Sequence, residues 1–122
     1  MKKISLFIIM AFACVYANAQ FAGSKWKATL QFDSPTDVIF DFKTDTVEAI
    51  AAADNSSIEI MHYTIQDTVL TLLKISGQSQ CDDTVTGKYK FEMKDGGVIL
   101  TMIEDACNDR AYALDNSKWM KQ

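Results

Sequence analysis

Cys107 sits in an acidic turn, Glu104-Asp105-Ala106-Cys107-Asn108-Asp109-Arg110, which ends in the only arginine of the sequence. A second cysteine, Cys81, is followed directly by Asp82 and Asp83. Three chemistries are open to such a group. Two thiols can oxidise to a disulfide, two thiolates can ligate a metal, and several carboxylates gathered in one place can hold Ca²⁺, which takes about 6–8 oxygen ligands. A zinc site wants CxxC spacing and histidine partners; the spacing is missing and His62 is the sole histidine. For the acids there is no EF-hand-like spacing. Their ordinary roles are that Asp105 caps the turn, that Asp105 or Asp109 pairs with Arg110, and that the rest are solvated.

Catalytic constellations are harder to find. His62 falls on the outward parity of its segment, where a lone histidine is ordinarily solvated. No GxSxG elbow, HExxH, P-loop or glycine-rich dinucleotide turn occurs. Asp33, Asp37, Asp41 and Asp45 have helical spacing, but Pro35 and the Val-Ile-Phe stretch between them read as strand, where acids of one parity form a solvated outer face. The expectation is a protein that is not an enzyme and needs no cofactor or metal.

The elements that position these residues begin after residue 19. Residues 1–19 read as a signal peptide: Lys2 and Lys3, an apolar run from Ile4 to Tyr16, and Ala17-Asn18-Ala19 as a cleavage box. The run is too short for a comfortable membrane span. A competing reading acylates Cys14 as a lipoprotein anchor. Residues 20–122 then form one domain in a periplasmic or secreted protein. Losing two lysines leaves ten bases against 16 acids, a formal charge of −6. Such a balance argues against nucleic acid or an anionic membrane surface as partner, since both reward clustered Lys and Arg. With Cys14 in the leader, Cys81 and Cys107 are the remaining cysteines, and an oxidising compartment favours their bond.

Period-two alternation recurs along this domain, the mark of half-buried strands. Trp26, Ala28, Leu30 and Phe32 share a face; so do Val38, Phe40 and Phe42, then Met61, Tyr63 and Ile65 with Leu70 and Leu72 opposite, then Tyr89, Phe91 and Met93. Residues 46–52 fit a strand better than the helix that Asp45 and Glu48 could cap. Gln66-Asp67 and Asp95-Gly96-Gly97 read as hairpin turns. Val98 to Glu104 returns, Ala111 to Leu114 begins a late strand, and Lys118-Trp119-Met120 closes the chain. There are no repeats. The fold class is all-β. About eight short strands joined by tight turns close most simply as a single small antiparallel up-and-down β-barrel.

Phe40, Tyr63, Tyr89, Phe91 and Tyr112 are the candidates for lining the interior and binding a small apolar or amphipathic ligand, with tyrosine hydroxyls orienting it. Against this, an eight-stranded barrel is just wide enough for its own side chains to fill it. In that case the outer face and loops do the work, as in a protein-interaction module of the protease-inhibitor or envelope-complex kind.

Several of these segments resemble a known group. Gly23-Ser24-Lys25-Trp26, Gly87-Lys88-Tyr89-Lys90-Phe91, Asp105-Ala106-Cys107-Asn108-Asp109-Arg110 and the closing Trp119 are similar to elements of the lipocalins and their calycin relatives, in particular the small exported bacterial lipocalin-like proteins. The resemblance implies a closed or nearly closed antiparallel barrel with a shallow cavity. It also implies that Arg110 lies over Trp26 and plugs one end, a cation–π contact of roughly 1–2 kcal/mol when shielded. The function it implies is binding of a small hydrophobic molecule in the barrel mouth.

Overall fold

In the computed structural model, which describes residues 21–122, the alternation of the sequence becomes eight antiparallel strands. They are β1 (Lys25–Gln31), β2 (Pro35–Phe42), β3 (Thr46–Ala51), β4 (Ser57–Gln66), β5 (Val69–Gly77), β6 (Thr86–Lys94), β7 (Gly97–Asp105) and β8 (Lys118–Lys121), with one helix, α1 (Asn108–Leu114), between the last two. The expected signal peptide and cleavage site, and Cys14, lie outside the described residues.

Each strand pairs with its neighbours in chain order, and the ring closes where β8 pairs with β1 through Trp26↔Lys121 and Lys27↔Met120. This is the expected up-and-down barrel. Closure leaves no sheet edge unpaired, which removes the aggregation hazard of an open edge. Tight turns set the register. Asp95 and Gly96 connect β6 to β7 with φ of 53° and 77°, the left-handed conformation that two-residue hairpins need. The β4–β5 turn falls one residue later than expected, on Asp67 and Thr68, because Gln66 still pairs with Val69.

Inward residues of every strand meet in one core. Tyr89, Leu70, Leu72, Val38, Val47 and Val98 are its largest fully buried side chains. Each removes enough apolar surface from water to contribute about 1.5–3 kcal/mol.

The segment expected to start a late strand is helix α1 instead. Arg110 and Leu114 are its buried residues, four apart on one face, a helical spacing. Tyr112, read as inward on strand parity, is 73% exposed. A helix of 7 residues is not stable alone. Tertiary contacts hold this one: Leu114 enters the core, Asp115 accepts from the Met102 N–H at 2.9 Å, and Cys107, just before the first turn, is bonded to Cys81.

Candidate functional site

The antiparallel order gives the barrel two chemically different ends. One carries the start of β1, the end of β2 and the β4–β5 and β6–β7 turns. Phe21 closes it. Gly23, at φ 80°, turns the chain so that its N–H reaches the Phe42 carbonyl at 2.8 Å and the Phe21 ring folds inward. That ring lies 5.7 Å from Trp26, 5.2 Å from Phe42 and 5.2 Å from Phe91. Tyr63 packs edge-on to Phe42 at 4.9 Å and donates its hydroxyl to the Lys43 carbonyl. Five aromatic side chains therefore fill this half of the interior.

The other end carries the β1–β2, β3–β4 and β5–β6 connections together with α1. Here a cleft of about 850 Å³ opens between α1 and strands β1–β4. Leu30, Val38, Phe40, Ala49, Met61 and Leu114 form its apolar floor, and Asp33, Glu59, Asp109, Arg110 and Tyr112 are among the residues of its walls and rim. Its size falls in the range of small-molecule sites. A second depression, about 930 Å³, lies outside the plugged end against the β6–β7 turn and both chain termini of the barrel. It is a surface hollow over turns and strand ends and does not enter the half of the core that the first cleft reaches.

A buried ion pair anchors the wall of the cleft. Arg110 grips Asp105 side-on, with Nε to Oδ2 at 2.6 Å and Nη2 to Oδ1 at 2.9 Å, and Nη2 also donates to the Val85 carbonyl. Tyr89 donates its hydroxyl to the same Oδ2, and the Cys107 N–H donates to Oδ1. Burial alone would push the Asp105 carboxyl up; the bonds from Arg110, Tyr89 and Cys107 outweigh it and hold the carboxyl below its ordinary value. Burial opposes the charge of Arg110 as well, and the Asp105 carboxylate more than restores it. Burial, followed by the hydrogen bond to Asp105 and then its charge, pushes the Tyr89 phenol well above its usual range. The close fit explains Gly87. A Cβ there would lie 2.3 Å from Asp105 Oδ2 and 2.8 Å from Arg110 Nε, so only glycine leaves room for the pair.

One atom of this knot stays unsatisfied. Arg110 is 4% exposed, and its Nη1 is buried with no hydrogen-bond partner among the described residues. A buried donor left unpaired costs about 1–3 kcal/mol.

A second buried charge lines the cleft. Glu59 is 6% exposed. Its Oε1 accepts from the Ser79 hydroxyl and lies 3.7 Å from Lys74 Nζ, while Lys74 donates to the Ser79 carbonyl at 2.6 Å. The loop after β5 is thus tied to the barrel wall by this ion pair and to the start of α1 by the buried Cys81–Cys107 bond, whose Cα atoms are 5.3 Å apart.

No family model, curated protein or solved structure matches this chain.

Of the residues expected to line a ligand site, Phe40 is on the floor of the cleft and Tyr112 on its outer rim. Tyr63 and Phe91 belong to the aromatic plug, and Tyr89 to the Arg110 knot. The expected Trp26–Arg110 closing pair does not form. Trp26 starts β1 at the plugged end, whereas Arg110 sits on α1 at the open end and is bound to Asp105. Among the described residues no three or more of His, Cys, Asp and Glu are grouped to hold a metal ion. The sequence reading missed Glu59 and Lys74, although strand parity carries the signal: Glu59 shares the face of Met61 and Tyr63, and Lys74 that of Leu70 and Leu72.

Proposed function

We propose that the protein is an exported, non-enzymatic, lipocalin-like carrier that holds a small hydrophobic or amphipathic molecule in the open-end cleft. The observation that carries the proposal is the division of the barrel. Aromatic side chains fill one half, and at the other a cleft of about 850 Å³ reaches the inward faces of β1–β4. The Cys81–Cys107 bond supports an oxidising compartment. The lipocalin-like assignment rests on the Gly23–Trp26 and Asp105–Arg110 segments and on the barrel they build. The test is native mass spectrometry of the mature protein purified without detergent, with uptake of a fluorescent apolar probe measured in parallel. A bound species of a few hundred daltons, or saturable uptake, is the expected result; bare polypeptide together with no uptake refutes the carrier.

A second reading, a protein-interaction module, is favoured by the exposure of Met93, Ile103 and Tyr112 on the outer surface. Recovery of one stoichiometric protein partner from the envelope fraction, with the cleft still closed to small probes, distinguishes it.

A further inference from the structure

Charge is spread unevenly over the barrel wall. Residues 21–122 hold ten bases and 16 acids. Six of the bases, Lys25, Lys27, Lys88, Lys90, Lys94 and Lys118, stand on the outward parity of β1, β6 and β8. With β7 between β6 and β8, these strands form one continuous stretch of the barrel. Glu92 and Glu104 are the two acids among its outward strand residues. A net charge of −6 therefore hides a basic face set against a more strongly acidic remainder.

The lysines of this face are available. Five are exposed and Lys27 is half-buried. Lys27 has Asp37 at 3.9 Å, and among the described residues the other five have no carboxylate within ion-pair distance. Acids lie near enough in the register: Lys88 is opposite Glu104 and Lys25 is opposite Asp41. Asp41 accepts from Lys43 instead. Apolar side chains sit among the charges. One outward row crosses four strands as Lys94, Gly97, Met120 and Lys27. Gly97 is the shelf of that row, since a Cβ there would lie 2.7 Å from Met120 Sδ and 3.6 Å from Lys118 Cε. Met120 is 42% exposed on it, and Ile99 is half-buried between Glu92 and Lys118.

A face of this composition selects its partner. Protein interfaces are depleted in lysine and enriched in arginine and aromatic residues, and single-stranded nucleic acid needs aromatic platforms for its bases. The outward residues of this face include no arginine and no aromatic ring. Lysine point charges around an exposed thioether suit a field of lipid phosphates, where the lysines act additively and an apolar side chain lodges among the headgroups. We propose that β6, β7, β8 and β1 form a docking surface for an anionic phospholipid membrane, with Met120 at its centre. None of the six lysines lines the cleft, so docking here goes beyond the carrier reading and is independent of it.

Vesicle sedimentation tests the surface. The mature protein is expected to bind vesicles that contain phosphatidylglycerol and to ignore pure phosphatidylcholine. It is expected to be released at about 1 M salt, where screening shortens the reach of a charge to about 3 Å. Lys90→Gln and Lys118→Gln are each expected to weaken binding about fivefold, with the melting temperature unchanged because both side chains are exposed and unpaired. Lys43→Gln removes the same charge away from the face and is expected to change binding by less than about twofold. Met120→Ser is expected to weaken binding several-fold and to leave its salt dependence as it was. Equal binding to the two vesicle types, binding to neither, or an equal loss from Lys43→Gln overturns the inference. Capture of duplex DNA or heparin with the vesicles left free also overturns it, and gives the face to an anionic polymer.

Discussion

Trp119 is held by the same device as Trp26. In each, the indole Nε1 donates at 2.8 Å to the hydroxyl of the serine two residues before it, Ser24 for Trp26 and Ser117 for Trp119. Each serine in turn donates to the carbonyl three residues earlier, Phe21 or Leu114, and sends its own N–H to the same carbonyl. A residue with positive φ, Gly23 or Asn116, precedes each serine. Phe21-Ala22-Gly23-Ser24-Lys25-Trp26 and Leu114-Asp115-Asn116-Ser117-Lys118-Trp119 are thus one structural motif used twice, to launch the two strands that meet at the closing seam. The short echo in the sequence is a repeat that the chain-wide pattern hides.

Removing either hydroxyl leaves a shielded indole N–H without its acceptor. Ser24→Ala and Ser117→Ala are each expected to lower stability by about 1–2 kcal/mol, with the larger loss at Ser117, which is the more deeply buried. Urea unfolding followed by tryptophan fluorescence measures both, and two neutral variants would show that the shared geometry is incidental.

Gly87→Ala forces a methyl group against Asp105 and Arg110. Overpacking of this kind costs about 1–3 kcal/mol, and the knot it disturbs also holds α1. The expected result is a lower melting temperature together with faster amide exchange over residues 108–114. An unchanged melting temperature would mean that the ion pair has room to move.

The Asp105 carboxyl is held below its ordinary value of 3.8 in the folded protein. Its linkage contribution is therefore fully present above about pH 4 and is lost as pH falls through the lower folded value. Tyr89 runs the other way. Its phenol is raised from 10.0, so its contribution is present below about pH 10 and is lost as pH rises through the folded value. Melting temperatures from pH 2 to pH 11 are expected to fall at both extremes. Asp105→Asn flattens the acid limb and Tyr89→Phe the alkaline one. At neutral pH Asp105→Asn strands a buried guanidinium, a loss of about 3–5 kcal/mol.

Reduction of the Cys81–Cys107 bond releases a loop with a sequence separation of 26. In the chain-entropy model the folded state then loses about 3.5 kcal/mol. Calorimetry with and without reductant measures it. Far-ultraviolet circular dichroism is expected to show that the helical contribution of α1 is lost before the barrel melts, because Cys107 anchors its first turn.

Much of the barrel was legible because its strands alternate cleanly. Tyr89 and Leu70 are inward and Lys88 and Thr71 outward in the pattern of residue types before any coordinate is known, and the hairpin at Asp95-Gly96 is written in its turn residues. The open end was not legible for the same reason. Glu59 and Lys74 are charged, and a reading by residue type assigns charge to the outside; for Arg110 the reading offered Trp26 as well as a pair with Asp105 or Asp109, and the Asp105 pair is the one that forms. Glu59 is instead buried and Lys74 half-buried, joined to each other across the β4–β5 pair and to Ser79 beyond it, contacts that only folding makes. Helix α1 was missed because Ala111 to Leu114 alternates over four residues as a strand would; the spacing of Arg110 and Leu114 reveals the helix only once Arg110 is known to be buried. The Cys81–Cys107 pairing needed no geometry, since these are the two cysteines after residue 20.

Methionine methyl groups test the half-open barrel most directly. Met61 lies on the cleft floor, whereas Met93 and Met120 are exposed; Met93 lines the depression at the plugged end, and Met120 packs against Gly97 of its lining. In ¹³C-methyl-methionine protein titrated with 1-undecanol, the Met61 signal is expected to shift and saturate while those of Met93 and Met120 hold still. Shifts at Met93 and Met120 with Met61 unmoved would contradict the assignment of the ligand site to the open end of the barrel.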